Sequence, residues 1–363
     1  MKNLRVPFND LSRIHKPIES QVIGNIKKIV QNNSFILGEF VEEFENNFSK
    51  FSNSKYSIGC GNGTDAIELV LRGLDIKVGD EVIVQANTFI ATALAVTRTG
   101  ATPIFVDNGK DYLIDIVNVK KAVTKKTKAI ISVNLYGQMG DNYNLSKLAK
   151  KYGIYFIEDS AQSHGASQNN NTPGKYSIAS TYSFYPGKNL GAWGDGGCIT
   201  TNNKKFADKL IYLRNWGSKK KYFHDVIGYN SRLDPIQAAV LNEKLKYLHE
   251  WNLDRNKVAK FYQENLSEKY HLPSVNKGNF HVWHLYVVRT KNRNILIDEG
   301  KKQGIEFGIH YPKPIHKQKA YKEMNNKVLI NSEKFASVLV SLPMFPKMKK
   351  YEMQKVVSFL NNF

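Results

Sequence analysis

Residues 81–107, EVIVQANTFIATALAVTRTGATPIFVD, read as a β-strand, a helix and a second strand. A β-branched run at 81–85 gives way to small residues at helical spacing over 88–97, and a further apolar run at 102–107 closes the unit. The alternation continues on both sides. Strands are predicted at 55–60, 129–134 and 154–158, with helices at 65–74, 116–123 and 145–152, so this part of the chain reads βαβαβ. Such a pattern predicts an α/β fold with a mostly parallel sheet and helices on both faces. Short strands follow at 180–184 and 198–201, then a helix at 205–213.

After Asp234 the pattern changes to one long helical stretch, 235–265, with Asp234 as its cap and Pro235 tolerated just inside its start. That stretch is the expected bridge to a smaller α/β part containing a strand at 282–289 and a helix at 295–303. A chain of 363 residues, 42% hydrophobic, exceeds one minimal core. The expected division is a large domain over 1–240 and a smaller one over 241–363.

The formal net charge of +20 invites a nucleic-acid reading, yet the basic residues are scattered. The one dense run, Lys219, Lys220 and Lys221, has no zinc-finger, RNP-type or basic-zipper pattern beside it. A solvated face explains such a run, and so does a substrate carrying a diphosphate. A non-catalytic regulatory or nucleic-acid-binding protein remains the reading from a different class; it predicts salt-sensitive DNA binding and no chromophore. The N-terminal stretch 1–17 carries charge and proline, and no segment has the roughly 18 apolar residues of a spanning helix. Cys60 and Cys198 have no metal-ligand spacing and cannot build a disulfide framework. The expectation is a soluble cytoplasmic protein without a metal site, membrane or nucleic acid.

Three stretches carry chemistry. GCGNGTDA at 59–66 lies between a strand and a helix, where glycine lets backbone approach a ligand and free helix amides bind phosphate; a capped glycine-rich turn is the plainer alternative. IEDSAQSHG at 157–165 places Asp159 at the carboxyl end of a strand, where open α/β sheets meet their ligands. A carboxylate fixed there can hold the proton of a ring nitrogen, or simply cap a loop. YSFYPGKNLG at 182–191 sets Lys188 among aromatic residues and glycines. Schiff-base chemistry needs such a lysine held in place with a depressed pKa, although most lysines in Pro/Gly loops are merely exposed.

The runs GNGTDAIELVL (61–71), QANTFIATALAVTRTGATPIFVD (85–107), NLYGQ (134–138), IEDSAQSHGA (157–166), SFYPGKNLGAWGDGG (183–197) and GYNSRLDPIQAAVL (228–241) together resemble the DegT/DnrJ/EryC1/StrS family of nucleotide-sugar aminotransferases, in the family's order and over nearly the whole chain. The resemblance implies the fold-type I, aspartate aminotransferase-like architecture of pyridoxal 5'-phosphate enzymes: a large domain around a mostly parallel seven-stranded sheet, a smaller C-terminal domain, and a homodimer with shared active sites. It implies that Lys188 holds the cofactor covalently and that Asp159 pairs with the pyridine nitrogen. Gln162 corresponds to the residue near the ring hydroxyl, Phe89 to the aromatic over the ring, and Gly63, Thr64 and Ser183 to the phosphate cradle. Asn230 corresponds to a residue reaching that phosphate from the neighbouring subunit.

Two positions depart from the usual pattern: Asn134 stands where His is common, and Tyr176-Ser177-Ile178 where a Gly-Asp pair is common. By the same resemblance L-glutamate is the amino donor and a nucleotide-linked keto sugar the acceptor. NTFIATALAV, the stretch 213–234 and HVWHLYVVR look most like enzymes aminating C-3 of a dTDP-linked 3-keto-6-deoxyhexose. Amination at C-4, or of a UDP-sugar, is the alternative within the family. A sugar dehydratase of the same fold has His in place of the lysine, and Lys188 argues against it. Lys219, Lys220, Tyr222, His224 and Tyr229 are candidates for holding the diphosphate and sugar, with an ordinary basic loop as the alternative. His281, His284, His310 and His316 are expected to be structural, and the product is expected to serve surface polysaccharides or glycosylated natural products.

Overall fold

In the computed structural model, which describes residues 5–324 and 327–363, the expected α/β architecture is present. Residues 1–4 of the N-terminal stretch and residues 325–326 lie outside the described residues. The chain opens with α1 (Ser12–His15), α2 (Glu19–Gln31) and α3 (Glu39–Phe51), none of which the sequence pattern had separated out. It continues through β1 (Tyr56–Cys60), α4 (Gly63–Gly73), β2 (Glu81–Gln85), α5 (Ala91–Arg98), β3 (Thr102–Val106), α6 (Ile116–Ala122), β4 (Thr127–Val133), α7 (Asn142–Tyr152) and β5 (Tyr155–Asp159). Next come β6 (Ser167–Gln168), β7 (Ala179–Ser183), β8 (Gly197–Thr201), α8 (Lys204–Leu213) and a hairpin of β9 (Ser218–Lys220) and β10 (Phe223–His224). The remainder comprises α9 (Pro235–Leu245), α10 (Leu248–Asn265), β11 (Asn279–Phe280), β12 (Tyr286–Arg289), α11 (Arg293–Lys302), α12 (Ile330–Ala336), β13 (Leu339–Leu342) and α13 (Lys350–Asn362).

Seven strands form the main sheet in the order β1-β8-β7-β5-β4-β2-β3. Every neighbouring pair is parallel except those made by β8, which runs against both β1 and β7. The period of two along each strand sorts side chains between the faces. Val82, Val84, Ile131 and Ile157 pack with Ile67 and Leu71 of α4 and Leu210 of α8, while their neighbours Ile83, Ile130 and Phe156 pack with Val119 of α6 and Leu145 of α7. Both faces are thus covered, as a parallel sheet requires, and each fully buried Val or Ile contributes about 1.5–3 kcal/mol.

The helical stretch expected over 235–265 is two helices, broken at Lys246 and Tyr247. No Pro or Gly marks the break. The two halves serve different neighbours: Ala238 and Leu241 of α9 pack with Phe44 of α3, and Val258 and Tyr262 of α10 with Val356 and Leu360 of α13. A second core surrounds β12 and β13 and takes in Val6, which bridges to Ile305 from the far end of the chain. The expected strand at 282–289 begins only at Tyr286, because Trp283 takes φ 46° and stacks on His281. Asp107, just beyond β3, ties the two parts together: its carboxylate accepts from the backbone N–H groups of Asn331 and Ser332 at 2.8 Å each, at the start of α12. No helix among the described residues is long and apolar enough to cross a membrane.

Candidate active site

The carboxyl ends of the parallel strands open on one cavity of about 790 Å³. It is lined by Gly63, Thr64, Phe89, Asp159, Gln162, Ser183 and Lys188, which come from four separate strand ends or the loops after them, those of β1, β2, β5 and β7. Seven of the candidate residues therefore meet in one place.

Asn62 starts α4 by accepting the backbone N–H of Asp65 on its side-chain oxygen at 2.9 Å. Gly63 and Thr64 form the first turn of this helix and line the cavity, and first-turn amides, which have no partner within the helix, are the groups that bind phosphate. Only glycine fits at position 63, since a Cβ there would stand 2.6 Å from Ser183 Cβ. This backbone cradle, with the Ser183 hydroxyl beside it, suits the phosphate of pyridoxal phosphate.

Asp159 ends β5 and is buried, which pushes its carboxyl pKa up; a hydrogen bond from Thr92 Oγ1 to Oδ2 (2.8 Å) and one from the Ala161 N–H to Oδ1 (3.1 Å) pull it back down. Gln162 is oriented by its two ends: Oε1 accepts the Tyr136 N–H at 2.8 Å, and Nε2 donates to the Tyr311 hydroxyl at 3.1 Å. Phe89 precedes α5, which starts at Ala91, and its ring lies 5.8 Å from that of Tyr311 across the cavity.

Lys188 sits in a tight loop after β7, its N–H bonded to the Tyr185 carbonyl at 2.9 Å. The loop closes because Gly191 has no side chain; a Cβ there would meet the Pro186 carbonyl oxygen at 2.3 Å. Asn189 fixes the loop from the other side, donating to Asn252 Oδ1 and the Val282 carbonyl at 2.9 Å each. Burial lowers the Lys188 pKa to about 8, partly opposed by the Asp159 charge. The amine therefore sheds its proton close to neutral pH.

The remaining candidates stand apart from the cavity of their own chain. Lys219, Lys220, Tyr222 and His224 lie on the β9–β10 hairpin, where Lys219 pairs with Asp225 at 3.6 Å and His224 Nδ1 bonds the Trp216 carbonyl at 2.9 Å. Tyr229 packs its ring under Arg72, and Asn230 is exposed, bridged by backbone to Asn215. His281 and His316 are buried in structural contacts, with Trp283 and Glu333 respectively. His284 and His310 have structural bonds too, to Asn189 and Ser341, yet both line the cavity, as do Thr92, Arg255 and Tyr311. Of these, Thr92 stands closest to a stretch already singled out, three residues past Phe89, but nothing in the sequence marks its bond to Asp159.

The two departures from the family pattern meet at one carboxylate. Buried Glu158, beside Asp159, accepts from Asn134 Nδ2 (3.0 Å) and Asn142 Nδ2 (2.7 Å) on one oxygen, and from Ser177 Oγ and the Gly174 N–H (2.9 Å each) on the other. The unusual Asn134 and Ser177 thus help satisfy a carboxyl whose pKa burial pushes up and these hydrogen bonds pull back down.

Comparison with known proteins agrees with this geometry. The chain is 44% identical over 360 residues to the dTDP-3-amino-3,6-dideoxy-alpha-D-galactopyranose transaminase of Aneurinibacillus thermoaerophilus, covering 99% of each. It is 39% identical to the dTDP-3-amino-3,4,6-trideoxy-alpha-D-glucose transaminase of Streptomyces venezuelae, covering 97% of this chain and 94% of that one. The crystal structure of ntda from Bacillus subtilis with bound cofactor PMP superposes with a TM-score of 0.93 at 31% identity, over 100% of this chain and 86% of that one. The family profile matches residues 16–361, and the chain belongs to the DegT/DnrJ/EryC1/StrS aminotransferase family, whose members of this fold use pyridoxal phosphate.

Proposed function

We propose that the chain transfers the amino group of L-glutamate to C-3 of a dTDP-linked 3-keto-6-deoxyhexose, with Lys188 and Asp159 as its catalytic residues. The observation that carries this reading is the convergence in one cavity of a lysine with a depressed pKa, a buried carboxylate and a glycine-backed helix terminus. The names of the two relatives support the acceptor.

Bound at Lys188, pyridoxal phosphate supplies an electron sink that makes the donor's α-carbon acidic. Gly63, Thr64 and Ser183 would hold its phosphate, Phe89 would cover its ring and Gln162 would meet its ring hydroxyl. Asp159 keeps a proton on the ring nitrogen. The Lys188 amine, when free, would take the donor's α-carbon proton and, in the second half-reaction, give one to C-3 of the sugar. An amine with a pKa of about 8 suits both directions of that transfer.

The reading takes residues 1–240 as the cofactor-binding domain and 241–363 as the smaller one. It places a second copy of the chain over the hairpin, so that Asn230 reaches the neighbour's cofactor phosphate and Lys219, Lys220, Tyr222, His224 and Tyr229 approach the neighbour's sugar diphosphate. Exposure of Tyr222 (81%), Phe223 (62%) and Ile227 (88%) in the isolated chain supports such a cover. Two buried free cysteines and a nucleotide-sugar substrate support a cytoplasmic enzyme feeding amino sugars to polysaccharide or natural-product glycosylation.

The test is an absorbance spectrum of the holoenzyme. L-glutamate should shift the visible band of the lysine-bound cofactor to shorter wavelength, and a dTDP-3-keto-6-deoxyhexose should restore it and yield an amino sugar detectable by mass. Lys188→Ala should not form the band reversibly. No band at saturating cofactor refutes the enzyme reading; a glutamate response that no dTDP-linked 3-keto sugar reverses refutes the acceptor.

A further inference from the structure

Asn9 lies on the cavity wall with Phe8 and Leu11, far in sequence from the strand-end motifs. Its amide nitrogen stands 3.9 Å from the position of a Cβ on Gly187, one residue before Lys188. Its Oδ1 is buried and has no hydrogen-bond partner among the described residues. Other polar side chains on this wall are engaged: Gln162 by Tyr136 and Tyr311, His284 by Asn189, His310 by Ser341. A buried amide oxygen left without a partner is destabilising, and in a cavity it marks a place where a ligand can supply one.

The amide is also held still. Phe8 donates its N–H to Glu306 at 3.3 Å, accepts the Met344 N–H at 3.3 Å and stacks on His310 with ring centroids 5.6 Å apart. On the other side Asp10 accepts from Ser12 Oγ (2.6 Å) and Arg13 Nε (2.9 Å), while Arg13 is itself paired to buried Glu352 at 2.6 Å. With both neighbours anchored, Asn9 presents its amide at a fixed point beside the lysine loop, and little conformational entropy is lost when it binds.

If the reacting carbon is C-3, the sugar groups within reach of a residue flanking Lys188 are those on C-2 and C-4. The two relatives' products differ at C-4: the 3,6-dideoxy sugar keeps a hydroxyl there and the 3,4,6-trideoxy sugar has none. We propose that Asn9 hydrogen-bonds the C-4 hydroxyl and is a specificity-determining residue that favours the hydroxylated sugar over its 4-deoxy counterpart. This inference rests on the nucleotide-sugar reading above. A hydroxyl both donates and accepts, so either end of the amide can serve. A 4-deoxy sugar leaves the amide unpaired, and sites built to meet a hydroxyl discriminate strongly against analogues lacking it.

The test measures kcat/KM of the holoenzyme with L-glutamate for a dTDP-3-keto-6-deoxyhexose and its 4-deoxy analogue, in wild type and Asn9→Leu. Wild type should favour the hydroxylated sugar by at least about 10-fold, and the Leu variant should abolish most of that preference. Both sugars are measured on one preparation, so incomplete folding cancels in the ratio. The proposal is overturned if the ratio is the same in both proteins, including a parallel fall on both sugars, which would mean that Asn9 acts at C-2 or only structurally. If wild type responds to glutamate but aminates neither sugar, the acceptor reading itself has failed and takes the proposal with it; that outcome is visible before any variant is made.

Discussion

Replacing Thr92 by Val removes one hydroxyl and almost no volume, and isolates the support given to Asp159. The carboxylate is buried and its pKa already displaced upward, with Thr92 and the Ala161 N–H as the hydrogen bonds that oppose the displacement. A hydrogen bond to a charged acceptor contributes about 1.5–3 kcal/mol, or roughly 10- to 100-fold in the equilibrium between ionised and protonated carboxyl. Loss of the Thr92 bond should therefore move the acid limb of kcat toward neutral pH, because Asp159 must be ionised to keep the ring nitrogen protonated. The expected fall in kcat reaches about 10- to 100-fold only on the acid limb itself, shrinking to nothing as pH rises above it, with KM for glutamate little changed. Thr92→Ser keeps the donor and should restore the wild-type profile. The assay is the glutamate half-reaction followed by absorbance from pH 5 to 9. Superimposable profiles for wild type and Thr92→Val would refute the argument, and an equal loss at every pH would show a packing effect instead.

Gly63→Ala should press a methyl group against Ser183, destabilise the fold by about 1–3 kcal/mol and weaken cofactor binding, read by titrating apoenzyme with pyridoxal phosphate; wild-type affinity would contradict the cradle. Lys244 is fully buried on α9, donating to the Gly191 carbonyl, with its Nζ 3.0 Å from His15 Nε2, and burial lowers its pKa to about 7. Since the folded pKa lies below the unfolded value, the folded chain holds fewer protons between about pH 7 and pH 10.5, and stability falls as pH drops through that window. The group should account for about 2–3 kcal/mol of lost stability between pH 9 and pH 6, which Lys244→Met should abolish in urea denaturation. An unchanged difference between the two pH values would mean that Lys244 is not neutral when buried.

The sheet was legible because its strands are buried on both faces and bounded by turn residues, so 55–60, 81–85 and 102–107 fall within a residue or so of β1, β2 and β3. Local periodicity could not place the break at Lys246 and Tyr247, which answers to distant partners on α3 and α13. The same limit applies in the cavity. Residues next to glycine-rich turns or strand ends announced themselves, and Gly63, Asp159 and Lys188 line it as expected. Asn9, Arg255, His284 and Tyr311 reach it only through long-range packing, for which a single sequence has no marker. Thr92 was overlooked because a threonine in the first turn of a helix reads as ordinary helix chemistry until its acceptor is known.

The cavity wall draws on Phe8 near one end of the chain and on Leu342 and Met344 near the other. During synthesis, then, the cofactor cannot be fully enclosed until the chain has emerged through Met344 and β13 has paired with β12. Acquisition of the yellow colour would be a late event in the life of each molecule, and a stringent report on its completion: chains truncated before Leu342 should remain colourless even where the seven-stranded sheet has formed.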